Sequence, residues 1–287
     1  LLCIARYAEA LPLYEQSLSI LRAIGDRKDE AKLLNNIGNI YQNQGKYGRA
    51  LKYLEQSLPI FQEVGDKEGQ GATLNNIGMI YLAKGDYAKA LKYLEQSLPL
   101  LREIQHREGE GVTLNNIGMI HDAQDDYAAA LQYYKQALMI SWKIKDKATK
   151  SKVLNNISKV YHAQKNYDAA LEYLEQSLAV SRQIGDRRGE GVNLNNIGKI
   201  YEAKGDCPVA LKQYELALRI VEEIGNKDGE ARTCWNIGLL YIKQGELTKA
   251  EPYLSRAVEL AEQLEHPMLE NDRKVLEAVR AKLRKQQ

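Results

Sequence analysis

The sequence repeats itself with a period of 40 residues, and this period constrains the fold more than any other feature. An asparagine recurs at this interval, at Asn36, Asn76, Asn116, Asn156, Asn196 and Asn236. An alanine recurs in the same way, at Ala50, Ala90, Ala130, Ala170, Ala210 and Ala250. Because one repeat cannot bury its apolar face alone, the period predicts a stacked array of repeats and not a single globular core.

Each repeat holds two helical patterns separated by turn signals. In the first repeat, Leu34, Ile37 and Tyr41 follow one another at the spacing of one helix face, and Ala50 and Leu54 do so in its second half. Glycine followed by a polar residue closes most of these patterns, which suits a left-handed helix end and the N-cap of the next helix. No stretch alternates apolar and polar residues as a strand does. The sequence therefore predicts an all-α fold, an α-solenoid whose antiparallel helix pairs form a right-handed superhelix.

The period also predicts how the chain is divided. First helices are expected near 28–44 and second helices near 47–64, each recurring in steps of 40 residues. The predicted parts are a lone second helix in residues 1–25, six tandem repeats in 26–266 and a C-terminal capping helix in 267–287. A half repeat at the start, without an initiator methionine, favours a fragment of a longer protein.

The composition is that of a folded protein with balanced charge. Charged residues make up 27% and hydrophobic residues 44%, and the net charge is +2, which indicates neither disorder nor a nucleic-acid or membrane partner. No apolar run approaches the roughly 20 residues that a membrane helix needs. The three cysteines, Cys3, Cys207 and Cys234, follow no metal or redox spacing. This usage favours a reducing, cytoplasmic setting, and we expect no metal or other cofactor.

A short motif in each repeat resembles that of a known family. The run Leu34-x-Asn36-Ile37-Gly38-x-x-Tyr41, followed by Tyr47-x-x-Ala50, resembles the tetratricopeptide repeat (TPR) consensus and recurs over nearly the whole chain. A TPR unit usually has about 34 residues. The longer repeat with Asn-Asn-Ile-Gly resembles kinesin light chains, Pins-type spindle adaptors and cyanobacterial arrays joined to CHAT or NB-ARC signalling modules. The resemblance implies binding of a protein or peptide in a concave groove lined by the first helices, and no enzymatic activity.

Helix geometry predicts which residues face that groove. The side opposite the buried stripe carries positions 32, 36, 39 and 43 of the first repeat and their equivalents. Position 36 is asparagine in every repeat, and an amide can both donate to and accept from the backbone of an extended peptide. Hydrogen bonding between neighbouring repeats is the alternative. We expect that alternative for the adjacent column, which runs from Asn35 to Asn195.

The other groove positions predict an apolar floor and a positive charge. Met79 and Met119 would form the floor, unless they pack against the next helix. The groove columns include no acidic residue, and their basic residues are Lys32, Lys152, Lys159, Lys199, Arg232 and Lys243. A concave surface of one sign attracts the opposite charge. The predicted ligand is therefore an acidic segment, or one ending in a carboxylate, placed against Lys152, Lys159 and Lys199 with its backbone held by Asn156 and Asn196. In the alternative, the lysines are solvated or paired with acids such as Glu202.

Two further functions compete with a peptide-binding scaffold. The chain could be an intramolecular regulatory module of a larger CHAT-protease or NB-ARC-type protein, with no free ligand. Nucleic-acid binding is favoured only by the groove lysines and lacks interleaved aromatic residues for base stacking. No side chains form a catalytic or metal motif, and His121 stands where the other repeats have a core tyrosine. Trp235 interrupts the Asn35 column, either as a peptide anchor or as a local packing substitution.

Overall fold

The computed structural model describes the backbone of residues 2–264, 266 and 269–286, and side chains from residue 11 onward within those ranges. All regular secondary structure in these ranges is helical, which confirms the predicted all-α class. The helices are α1 (Leu2–Ile24), α2 (Arg27–Asn43), α3 (Tyr47–Glu63), α4 (Lys67–Ala83), α5 (Tyr87–Glu103), α6 (Arg107–Ala123), α7 (Tyr127–Lys143), α8 (Lys147–Ala163), α9 (Tyr167–Gln183), α10 (Arg187–Ala203), α11 (Cys207–Glu223), α12 (Lys227–Lys243), α13 (Leu247–Gln263) and α14 (Leu269–Gln286). Even-numbered helices from α2 to α12 are the first helices of the repeats, and odd-numbered helices from α3 to α13 are the second.

The turns between helices follow the predicted chemistry. The Asp26 side chain caps α2 by accepting a hydrogen bond from the backbone N–H of Asp29 at 3.1 Å. Most helices end before a glycine in the left-handed region, such as Gly65 with φ of 70°. Four turns carry other residues there, at φ of 55° to 61°: Gln105, Asp125, Lys145 and Lys165. These side chains occupy a backbone conformation that favours glycine.

The chain forms two compact units, Leu1–Asp146 and Lys147–Gln287, called unit 1 and unit 2 below. Unit 1 contains α1 to α7, and unit 2 contains α8 to α14. Within each unit, a first helix packs against the second helix of its own repeat and against that of the preceding repeat. Consecutive first helices of a unit also touch, whereas consecutive second helices do not among the described residues. The first helices therefore line the inner, concave face of each unit.

Small residues let the two helices of a repeat approach closely. Ala50 is completely buried, as are its equivalents in the other repeats. A Cβ atom on Gly38 would lie 2.7 Å from the Leu54 side chain, and one on Gly118 would lie 2.6 Å from the Tyr134 ring. Because neither distance is compatible with a methyl group, glycine is required where the second helix crosses the first.

Aromatic pairs join the same two helices near the far end of the repeat. The rings of Tyr41 and Tyr53 stack with their centroids 5.5 Å apart. His121 stacks on Tyr133 in the same way, at 5.3 Å, so it occupies the place of the tyrosine in the packing. Within the ranges that the structure describes, no helix combines the length and the apolar character needed to cross a membrane.

Candidate functional site

Asparagine side chains connect successive first helices on the concave face of each unit. In unit 1, Asn76 Nδ2 donates to Asn35 Oδ1 at 3.1 Å, and Asn116 Nδ2 donates to Asn75 Oδ1 at 2.9 Å. In unit 2, Asn196 Nδ2 donates to Asn155 Oδ1 at 3.4 Å, and Asn236 Nδ2 donates to Asn195 Oδ1 at 2.9 Å. We call these side chains the asparagine ladder. The inter-repeat bonds expected for the Asn35 column are present.

The ladder limits what the Asn36 column can offer a ligand. Four of its amide nitrogens are used between repeats, so the remaining hydrogen-bonding group of these residues is the amide oxygen. Asn36 is exposed, Asn116 is buried, and the other members are half-buried. Asn156 Oδ1 accepts a hydrogen bond from Lys159 Nζ at 3.2 Å. Ligand contact by this column stays a prediction, and it now concerns oxygen acceptors.

The concave face of unit 1 has an apolar floor with acidic residues at its edge. Met79 and Met119 are half-buried on this face. A cavity of about 320 Å³ between α4 and α6 is lined in part by Ala72 and Val112, and also by Glu68 and Glu108. The two glutamates belong to a column that the sequence reasoning left outside the groove, and they make this face less positive than predicted.

The positive residues of the predicted site differ in their surroundings. Arg232 forms an ion pair with Asp228, four residues earlier on α12. In unit 1, Lys32 pairs with Asp29 at 2.9 Å. The alternative of pairing with neighbouring acids therefore applies to these two residues, although the acids lie one helical turn away and were not the ones anticipated.

Lys199 lies on the concave face of unit 2 close to other positive groups. Its side chain is solvent-accessible, yet surrounding protein atoms lower the pKa of its ammonium group, and the charge of Arg232 lowers it further. Glu202 opposes this shift to a smaller extent. Burial also lowers the pKa of His162, with a second contribution from Lys199. A carboxylate placed among these groups would relieve their mutual repulsion.

The remaining predicted positions do not form a reaction centre. Among the described side chains, no group of three His, Cys, Asp or Glu residues is arranged to hold a metal ion. Cys234 is 2% exposed, and burial raises the pKa of its thiol to about 12, so it packs as a small apolar residue. Cys207 is half-buried, and the Cys3 side chain lies outside the described ones. Trp235 is half-buried and packs against the core cluster that contains Leu254 and Val258.

The chain matches one protein family over nearly its whole length. The matching segments of the tetratricopeptide repeat family are residues 1–63, 29–103, 69–141, 149–223 and 193–263. In sequence, the chain matches no curated protein at a significant level.

Several solved structures share this fold at low sequence identity. The apo form of RapI is 18% identical with a TM-score of 0.73, over 90% of this chain and 93% of that one. The Rap conjugation gene regulator of plasmid pLS20, in complex with the Phr* peptide, is 17% identical with a TM-score of 0.71, over 92% of this chain and 71% of that one. A signal transduction ATPase with a tetratricopeptide repeat sensor, from Pyrococcus horikoshii, is 19% identical with a TM-score of 0.69, over 96% of this chain and 43% of that one. At these identities the likeness concerns the fold.

Proposed function

Because this chain belongs to the tetratricopeptide repeat family, we propose that it is a non-enzymatic scaffold that binds a protein or an extended peptide on the concave faces of its first helices. The similar Rap conjugation regulator was solved in complex with a peptide, which supports this class of ligand. The concave faces also carry side chains suited to a peptide backbone, namely the amide oxygens of the asparagine ladder.

We infer further that the ligand of unit 2 is acidic, or ends in a carboxylate, and lies against Lys152, Lys159 and Lys199. The observation that carries this proposal is the environment of Lys199, whose pKa is lowered by surrounding protein atoms and then by Arg232. A ligand carboxylate near Lys199 supplies the opposite charge, and the concave shape increases the effect because little water separates the charges. Asn156 and Asn196 lie on the same face and offer amide oxygens to backbone N–H groups of the ligand.

Synthetic peptide pools test this proposal on the chain as it stands. Each pool contains labelled peptides of about ten residues, which in extended form cross several repeats. One pool has glutamate at alternate positions, and the other has glutamine there. We expect the glutamate pool to bind more tightly at about 0.05 M salt and to lose that advantage at about 0.5 M salt.

Charge reversal on the first helices identifies the binding face. Changing both Lys159→Glu and Lys199→Glu should weaken binding of the glutamate pool roughly tenfold or more. Lys212→Glu is the matched control, because Lys212 is exposed on the second helix α11 of the same unit. Equal affinity for the two pools, unaffected by the double substitution and by salt, would exclude an acidic ligand on this face.

A second candidate is a sensor segment that contacts other parts of its own protein. It is favoured by the similarity to a signal transduction ATPase, because this chain covers 43% of that longer chain and the name of that protein includes a tetratricopeptide repeat sensor. The sequence that flanks this chain in its gene distinguishes the two candidates. An adjoining nucleotide-binding or protease domain, co-purifying with this chain when the two are expressed separately, supports the second candidate, and its absence removes the case for it.

A further inference from the structure

A cavity of about 290 Å³ lies among α12, α13 and α14 of unit 2. Its apolar walls are Ala231, Trp235, Ala257, Ala261 and Leu264. The concave-face residue Arg232 also lines it, so the cavity opens beside the surface proposed to hold the ligand. The indole of Trp235 forms one wall while part of the side chain packs against the core.

Two substitutions distinguish this cavity from the same place in other repeats. Where unit 2 has Ala261, earlier repeats have Phe61, Leu101 or Val221, whose side chains fill the space above a first-helix glycine. The Phe61 ring, for example, lies within 2.3 Å of where a Cβ atom on Gly69 would be.

Serine occupies the same register in the two remaining repeats. Ser181 is hydrogen-bonded to Ser151 at 2.8 Å, so polar contacts occupy the space there. At Ala261 the side chain stops at Cβ and leaves the space open. Trp235, in a column that is otherwise asparagine, adds an aromatic wall.

The charges around the cavity indicate where a ligand carboxylate can lie. Arg232 is on its concave side, and Lys199 is close enough to Arg232 for the two charges to lower the pKa of the lysine. On the opposite side, burial raises the pKa of Asp272. A second carboxylate is therefore disfavoured beside α14 and favoured toward Arg232 and Lys199.

We propose that this cavity binds an aromatic or branched aliphatic side chain of an acidic peptide segment that lies on the concave face of unit 2. This inference rests on the proposed function and adds a second requirement to it. The segment must carry an apolar residue next to its acidic ones, and the apolar side chain replaces water against Trp235 and the alanine walls.

The test uses Trp235 as a reporter. The chain has two tryptophans, so Trp142→Phe leaves Trp235 as the only one, and Trp142 is 68% exposed on α7, away from the cavity. The probes are two glutamate-containing peptide pools of about ten residues, one with a fixed phenylalanine and the other with alanine at the same position. We expect the phenylalanine pool to bind roughly tenfold more tightly and to shift the Trp235 emission.

Filling the cavity should remove this preference. Ala261→Phe introduces the residue that the first repeat has at this register, and it should make the two pools bind equally. The matched control is Ala179→Phe, an exposed site on α9 of the same unit, which should keep the preference. Trp235→Asn, with the residue found elsewhere in that column, provides a second test if Ala261→Phe lowers the helical content.

The outcomes separate the two proposals. Equal binding of both pools to the unfilled chain, with salt-sensitive binding retained, overturns the cavity proposal and leaves the acidic ligand intact. A preference for phenylalanine that survives both Ala261→Phe and Trp235→Asn also overturns it, because the side chain is then bound elsewhere. Failure of both pools to respond to salt or to charge reversal at Lys159 and Lys199 contradicts the proposed function itself.

Discussion

Replacing either of two buried tyrosines with phenylalanine should change stability in opposite directions. Tyr134 and Tyr214 are both completely buried, at equivalent positions of α7 and α11. The Tyr214 hydroxyl donates to Glu202 Oε2 at 2.9 Å. The Tyr134 hydroxyl has no hydrogen-bonding partner among the described residues. The residue equivalent to Glu202 in that repeat is Asp122, which is shorter by one methylene group.

The expected magnitudes follow from these contacts. Tyr214→Phe removes a hydrogen bond to a charged group, which contributes about 1.5–3 kcal/mol. Since Glu202 is half-buried and can regain water, we expect a loss of about 1–2 kcal/mol. Tyr134→Phe removes a buried hydroxyl whose desolvation costs about 1–3 kcal/mol, so we expect a gain of about 1 kcal/mol.

Urea unfolding followed by circular dichroism measures both changes, with the free energies compared at a common m value. Glu202→Asp is the control, because it shortens the acceptor in unit 2 and should remove most of the penalty of Tyr214→Phe. An equal loss of stability from both phenylalanine substitutions would refute the reasoning, since it would mean that Tyr134 also has a partner.

Three further predictions concern the turns, the helix crossings and the buried ion pairs. Lys165→Gly should raise the free energy of unfolding by about 1 kcal/mol, because φ at this turn is 61°, and urea titration measures it. Gly118→Ala should lower it by about 1–3 kcal/mol in the same titration, because the new methyl group meets the Tyr134 ring. Burial alone would raise the pKa of Glu190, but hydrogen bonds from Arg182 and a second arginine outweigh it and lower that pKa. Glu190 therefore stabilises the fold above its ordinary pKa of about 4.3 and loses that effect as the pH falls through its lowered value. Glu190→Gln should flatten this acid limb of the stability curve, and an unchanged limb would contradict the assignment.

The sequence predicted the helices well because their ends are written in local chemistry. The expected first helix near 28–44 lies at Arg27–Asn43, and the expected second helix near 47–64 lies at Tyr47–Glu63. A capping side chain and a left-handed glycine act within a few residues, so their positions fix the boundaries. The turns without glycine follow the same register because neighbouring repeats impose it.

The candidate site was harder to predict because its contacts join residues that no single column contains. The pairing of Arg232 with Asp228 involves the adjacent helical turn, which a count of groove positions omits. The bond from Asn76 to Asn35 links different columns of successive repeats. The cavity beside Trp235 depends on α14, which follows the last repeat and interrupts the 40-residue period. Periodicity predicts what repeats share, whereas these features come from places where the repeats differ.

The four turns without glycine also bear on where the array opens first. Gln105, Asp125, Lys145 and Lys165 follow one another along the chain, whereas the turns nearer both ends have glycine. Each left-handed residue other than glycine costs roughly 1 kcal/mol, so local stability is reduced over consecutive repeats in the middle of the sequence. Amide hydrogens in this stretch should then exchange with solvent faster than those of flanking repeats with the same packing, and proteases should cut there first. Helical arrays usually fray from their ends, and this one carries its weakest links inside.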